Sequence, residues 1–255
     1  MRSILLVLCA ALIGGGALLA VGTTKPADVG APTATADAGD KAAFGKRVRE
    51  YLIGNPEVLV EVMQEFERKQ DSQRDAVALK AIRQHKDGLL ADPESPSGGN
   101  AGGDVIIVDF NDYQCPYCKR AHQALKSVVA ADGRVKVIYK DLPILGEASR
   151  LAALAAMAAA KQGKHLALHD ALMEFNGKLD RARILEIAAS VGLDVALLEK
   201  DMEDPKFKQL IDRNMALAGA LGVRGTPAFV IGDQFVPGAV EADALKKLIA
   251  EARKR

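Results

Sequence analysis

Two thiols separated by Pro116 and Tyr117 carry the clearest chemistry in this chain, Cys115 and Cys118 forming a Cys-Pro-Tyr-Cys string. The pair comes after Val105-Ile-Ile-Val-Asp-Phe-Asn111, a β-branched run that reads as a buried strand, and it opens a helical pattern reaching Ala130. A cysteine at a helix start meets unpaired backbone N–H groups and the positive end of the helix dipole. Both favour the thiolate, which is the reactive form. Cys118 lies one turn further in, within reach of a mixed disulfide on Cys115. The spacing therefore supplies a nucleophile and a resolving thiol, and Pro116 and Tyr117 shape the first turn that tunes it.

The same spacing is half of a structural zinc site, which needs two further ligands. The remaining cysteine, Cys9, falls in an apolar leader, and the histidines (His85, His122, His165, His169) show no ligand spacing against the pair. No metal ligand and no cofactor is assigned. A purely structural disulfide is disfavoured, because so short a loop constrains little of the unfolded chain.

The elements that must position this pair are legible on either side of it. Downstream, Thr226-Pro227 stands directly before the apolar run Ala228–Ile231, and Gly232-Asp233 then turns the chain into Gln234–Val236. Taken alone, Pro227 could be an edge-strand or turn proline. Val135–Tyr139 alternates as a second strand, entered through Asp132-Gly133. Helical patterning fills Ala148–Lys161, His165–Phe175, Arg181–Val191 and Val195–Met202. Asp204-Pro205 opens a helix reaching Leu221, and Glu241–Arg253 reads as a last one.

Upstream, Arg2 and the apolar run Ile4–Val21 suit a secretory signal covering residues 1–22, with an uncleaved membrane anchor as the competing reading. Residues 23–40 are rich in Ala, Thr, Pro, Gly and Asp without periodicity and read as a disordered linker. Export implies a compartment where disulfides persist. The 255 residues carry a formal net charge of +1 and no basic block, so nucleic acid is not an expected partner.

Residues 41–91 read as a helical arm. A short helix is expected over Lys41–Ile53, with Asn55 then as N-cap and Pro56 in the first turn of a second helix running to Lys86. Val58, Leu59, Val62, Met63 and Phe66 form an apolar stripe on it, which Val77, Ala81 and Ile82 resume. Such a helix would be about 45 Å long at about 1.5 Å per residue, more than one small domain covers. Self-association through the stripe is the preferred reading; packing on its own domain is the alternative. Residues 92–103, Asp-Pro-Glu-Ser-Pro-Ser-Gly-Gly-Asn-Ala-Gly-Gly, read as a flexible linker between arm and catalytic domain.

Cys115-Pro-Tyr-Cys118 together with Thr226-Pro227 before a strand resembles the thioredoxin fold, in which that proline is cis and lies against the cysteine pair. With Asp109-Phe110, Tyr139-Lys-Asp-Leu-Pro143, Gly146-Glu-Ala-Ser149 and Gly225-Thr-Pro-Ala-Phe229, residues 104–255 resemble the DsbA family of periplasmic thiol–disulfide oxidoreductases. The resemblance implies an α/β thioredoxin fold with an embedded helical subdomain at about 146–203. It makes Asp109 a buried acid that can accept the resolving thiol's proton, although an ordinary strand-end carboxylate remains the alternative. It also makes Thr226 and Pro227 the border of a groove for misfolded or misoxidised exported chains. Asn55-Pro-Glu-Val-Leu-Val-Glu-Val-Met-Gln64 is similar to the arm of the suppressor-of-copper-sensitivity C (ScsC) proteins, some of which are trimeric disulfide isomerases. That likeness implies a homo-oligomer, with a trimer favoured, and a membrane thiol reductase of the DsbD or ScsB type as electron donor. The Pro-Tyr dipeptide and Thr226 depart from DsbA proper. Isomerase or reductase is thus the first expectation, with a dithiol oxidase or a copper(I) chaperone as alternatives. Lys119, Arg120 and His122 are expected on a solvated helix face.

Overall fold

The computed structural model describes residues 38–254. The expected signal peptide, Cys9 and residues 23–37 of the expected linker lie outside the described residues. The chain divides into two compact units at Val60 and Glu61.

In the first unit, α1 (Ala38–Gly54) begins inside the stretch expected to be linker. Asn55 holds the N-cap position of the next helix by its backbone, its carbonyl accepting from the Val58 N–H at 3.2 Å, but its side chain turns back. Its backbone N–H and its side-chain Nδ2 both donate to the Tyr51 carbonyl, at 2.9 and 2.8 Å, closing α1. Helix α2 (Glu57–Gln84) starts here and continues into the second unit, and a short α3 (Lys86–Leu90) comes after it.

The second unit is built on a five-stranded sheet: β1 (Ser97–Gly99), β2 (Val105–Asn111), β3 (Val135–Asp141), β4 (Ala228–Ile231) and β5 (Gln234–Pro237), in the order β1-β3-β2-β4-β5. Strands β2 and β3 run parallel, with Asp109 opposite Tyr139, and every other pairing is antiparallel. The parallel pair needs a crossover, and α4 (Pro116–Asp132) supplies it. Gly133, in a left-handed conformation with φ 69°, ends that helix and turns the chain into β3.

Residues 92–103 are not a linker. They carry β1, and Gly99 and Gly103 lie so close to the backbone of Arg134 and Val135 that a side chain at either position would collide with it. The glycines thus mark close strand approach rather than flexibility. Asp92 and Ser95 also hold the Lys140 ammonium, at 3.2 and 2.7 Å.

Alternation along the strands separates two layers. Val105, Ile107, Val137, Tyr139 and Phe229 face α4 and α10 (Ala242–Ala252). Val108, Phe110, Ile138 and Val230 face Ala81 and Ile82 of α2, Leu89 of α3 and the end of α9 (Pro205–Ala220). The helical block between β3 and β4 comprises α5 (Glu147–Ala159), α6 (His165–Glu174), α7 (Arg181–Ser190), α8 (Val195–Met202) and α9. Its core of alanines, leucines and methionines also takes in Tyr113, Cys115 and Cys118. On α2, Ala78, Ala81 and Ile82 are buried, whereas Val77, expected to share their stripe, is exposed. Among the described residues no helix is long and apolar enough to cross a membrane.

Candidate functional site

Strand β2 delivers the chain to the edge of the helical block, where Asp112 fixes the turn into the dithiol motif. Its buried carboxylate accepts from the Gln114 N–H at 2.8 Å, the Ser149 hydroxyl at 2.6 Å and the Leu145 N–H at 3.0 Å. The first bond forms a local turn that aims the motif; the other two pin it to the start of α5. The Asp112 N–H in turn donates to Cys118 Sγ at 3.4 Å. Sequence reasoning misses Asp112. Its one signal is the Asp-x-Gln turn spacing before Cys115, and nothing in the sequence singles out Ser149 as its partner.

Cys115 is the N-cap of α4, Pro116 occupies the first turn, and Cys118 lies one turn in. Both thiols are unbridged and buried, while Pro116 and Tyr117 stand in solvent. Exposure of the motif thus falls on its middle pair rather than on the first thiol. Tyr117 lies under the Arg120 guanidinium, 5.1 Å from its ring centroid. Cys115 Sγ donates to the Thr226 carbonyl at 3.2 Å, and the Thr226–Pro227 peptide bond is cis. The fold thereby joins Cys115, Cys118, Thr226 and Pro227 from opposite ends of the domain.

Behind the motif the site is unusually polar for a core. Asp109, on the face of β2 that meets α4, is buried, and one carboxylate oxygen has no hydrogen-bond partner. Burial and, secondarily, the nearby Asp141 raise its pKa to about 8. Burial likewise lifts Asp141 to about 7. The Cys118 thiol is pushed well above the ordinary thiol range, first by burial; the Asp112 N–H partly offsets this and the Asp109 charge adds to it. Lys119 is half-buried, not solvated, and donates to the Leu172 and Phe175 carbonyls at 2.8 and 2.7 Å. His122, also expected in solvent, is buried beside Asp170. Only Arg120 of that trio is exposed.

The arm residues are not part of this constellation. Leu59, Val62, Met63 and Phe66 are exposed and Val58 is partly so.

A dithiol at a helix start, facing a cis-proline loop on a thioredoxin sheet with a helical block inserted, defines a DsbA-like thioredoxin-fold protein. Residues 106–250 match the family described as DSBA-like thioredoxin domain, and residues 40–73 match the copper resistance protein ScsC N-terminal domain. The chain belongs to the DsbA-like family and carries the ScsC type of N-terminal segment. A thioredoxin-like oxidoreductase from Silicibacter pomeroyi is 48% identical, with a TM-score of 0.65, covering 66% of this chain and 98% of its own. ScsC from Proteus mirabilis in a transitional conformation is 33% identical, with a TM-score of 0.65, covering 86% and 99%. A Na(+)/H(+) antiporter NhaA from Salinispora tropica is 28% identical over 150 residues, which are 58% of this chain. The chain spans 23% of that antiporter's length.

Proposed function

We propose that this protein is an exported, periplasmic thiol–disulfide oxidoreductase that acts on protein disulfides, chiefly as an isomerase or reductase assembled through its helical arm. The observation that carries the reading is the contact of Cys115 Sγ with the Thr226 carbonyl, with Cys118 buried one turn behind. An extended substrate pairing beside Thr226 and Pro227 would bring its disulfide to Cys115.

In the forward step the Cys115 thiolate attacks one substrate sulfur and expels the other as a thiolate, forming a mixed disulfide. Two routes lead on from it. The freed substrate thiolate can attack another disulfide of the same chain, and a later thiolate returns Cys115 unchanged, which is isomerisation. Otherwise Cys118 loses its proton and attacks Cys115, releasing reduced substrate and leaving a Cys115–Cys118 disulfide. That passes two electrons to the substrate and calls for re-reduction by a membrane thiol reductase. Asp109, with its pKa near operating pH, is the acceptor for the Cys118 proton. At neutral pH most Asp109 carboxyls already hold a proton, so resolution by the buried Cys118 thiol is slow, which leaves time for isomerisation.

Isomerisation also requires holding a misfolded chain, and several sites facing one volume raise the effective concentration of thiols. The exposed Leu59, Val62, Met63 and Phe66, with Val58, are the surface for that assembly, a homo-oligomer and by family likeness a trimer. Cys115→Ser is expected to abolish insulin disulfide reduction, and Cys118→Ser to accumulate mixed disulfides with substrate. Trapping by the Cys115→Ser protein instead would reverse the two roles.

A further inference from the structure

Three of the four histidines that look scattered along the sequence converge in space. His122 on α4 and His165 and His169 on α6 are buried together, with His122 and His169 ring centroids 5.1 Å apart and His165 and His169 stacked at 5.6 Å. The Nδ1 of His122 and the Nε2 of His169 are buried without a hydrogen-bond partner, as are both ring nitrogens of His165. Buried polar atoms are rarely left so, because each forfeits its hydration. One potential ligand atom each from His122, His169 and Asp170 lies within 4.8 Å of the others.

The surroundings orient these atoms as ligands. His169 Nδ1 lies 2.9 Å from the Tyr113 hydroxyl, so Nδ1–H can donate there and leave the Nε2 lone pair free. Lys126 holds Asp170 Oδ2 at 2.8 Å, and Asp170 Oδ1 faces His122 Nε2 at 3.3 Å. His122 and Asp170, with His169 buried behind them, are among the residues lining a groove of about 400 Å³ that also takes in Leu125, Val129 and Tyr139, which gives an ion a way in and room for a water ligand.

We infer that His122, His169 and Asp170 form a binding site for a divalent transition-metal ion, separate from the two thiols. Two imidazole nitrogens, one carboxylate oxygen and a solvent-facing position suit a borderline ion such as Zn2+ or Cu2+ in an open tetrahedral arrangement. The site does not depend on the redox reading. It is nevertheless joined to the motif through covalent chain, because His122 lies one turn beyond Cys118 and Tyr113 lies two residues before Cys115.

The test is calorimetric titration of Zn2+ into the full chain carrying Cys9→Ser, Cys115→Ser and Cys118→Ser, so that thiol ligation cannot contribute. One equivalent is expected to bind and to raise the thermal midpoint, since an ion that binds only the folded state stabilises it. Adding His122→Gln should weaken binding by at least about tenfold, and so should Asp170→Asn, which alters a partly exposed residue and leaves the core intact. Tyr113→Phe keeps every ligand and should cost about tenfold by releasing the His169 ring. No stoichiometric binding, or binding that survives both His122→Gln and Asp170→Asn unchanged, would overturn the site.

Discussion

Phe44, Tyr51, Leu59, Val62, Met63 and Phe66 stand in solvent along α1 and α2, while Asp109, Lys140, Asp141 and His169 are hidden in the thioredoxin body. Each region breaks the ordinary rule of apolar inside and polar outside, in opposite directions. The exposed side chains cost nothing to fold but leave apolar area that a second surface can cover. The buried ones cost solvation that the body must return through partners or through chemistry. The arm is therefore the part that offers the surface for the proposed assembly, and the body is the part whose sequence calls for internal proton and charge partners.

The largest expected effect on stability is at Lys140. Its side chain is 1% exposed and the Asp92 carboxylate 15%, so Asp92→Ala leaves an ammonium buried with Ser95 alone. A loss of about 3 kcal/mol is expected, because an uncompensated buried charge is much worse than no pair. Lys140→Met should cost clearly less. The chain has no tryptophan, so urea unfolding monitored by circular dichroism is the measurement. Equal losses for the two variants would mean that the pair acts through packing, and the contrast between the regions would weaken.

Asp109 gives the next effect, with a definite sign. Its folded pKa is raised to about 8 against an unfolded value of about 3.9, so the native state keeps a proton that the unfolded state releases in between. Wild-type stability should therefore fall as pH rises from about 4 to about 8, with Asp141 adding to the fall up to about 7. Asp109→Asn should flatten this slope and gain at least about 1 kcal/mol near pH 7. It should also slow resolution by Cys118 while sparing attack by Cys115. A variant with the wild-type slope would remove Asp109 from the titrating pair.

Phe66→Glu is expected to change the stability of an isolated chain by no more than about 0.5 kcal/mol, the usual range for an exposed position. A loss above about 2 kcal/mol would instead make Phe66 an ordinary core residue.

Legibility in the sequence divides along the same line. The dithiol, Thr226-Pro227 and the helices of the inserted block are local patterns, and local patterns survive reading without coordinates. Strand β1 escapes such a reading because Gly98, Gly99, Gly102 and Gly103 imitate a linker, whereas Gly99 and Gly103 are there to let the β3 backbone approach. Lys140 gives no sign of its importance, since its partner Asp92 sits in that same linker-like segment. The histidine cluster is invisible because its members lie on α4 and α6, which only tertiary packing brings together. Asn55 shows the limit of residue type as a guide to local geometry, since the side chain of the expected N-cap bonds backwards to Tyr51.

The proposed isomerase activity depends on the exposed arm face bringing several active sites together. Sedimentation of the full mature chain beside its Val62→Glu/Phe66→Glu variant, with scrambled-ribonuclease repair and insulin reduction assayed on both, tests that dependence most directly. The wild type is expected to be an oligomer and the variant a monomer, with repair largely lost and insulin reduction retained. A monomeric wild type, or a monomeric variant that repairs ribonuclease equally well, would contradict it.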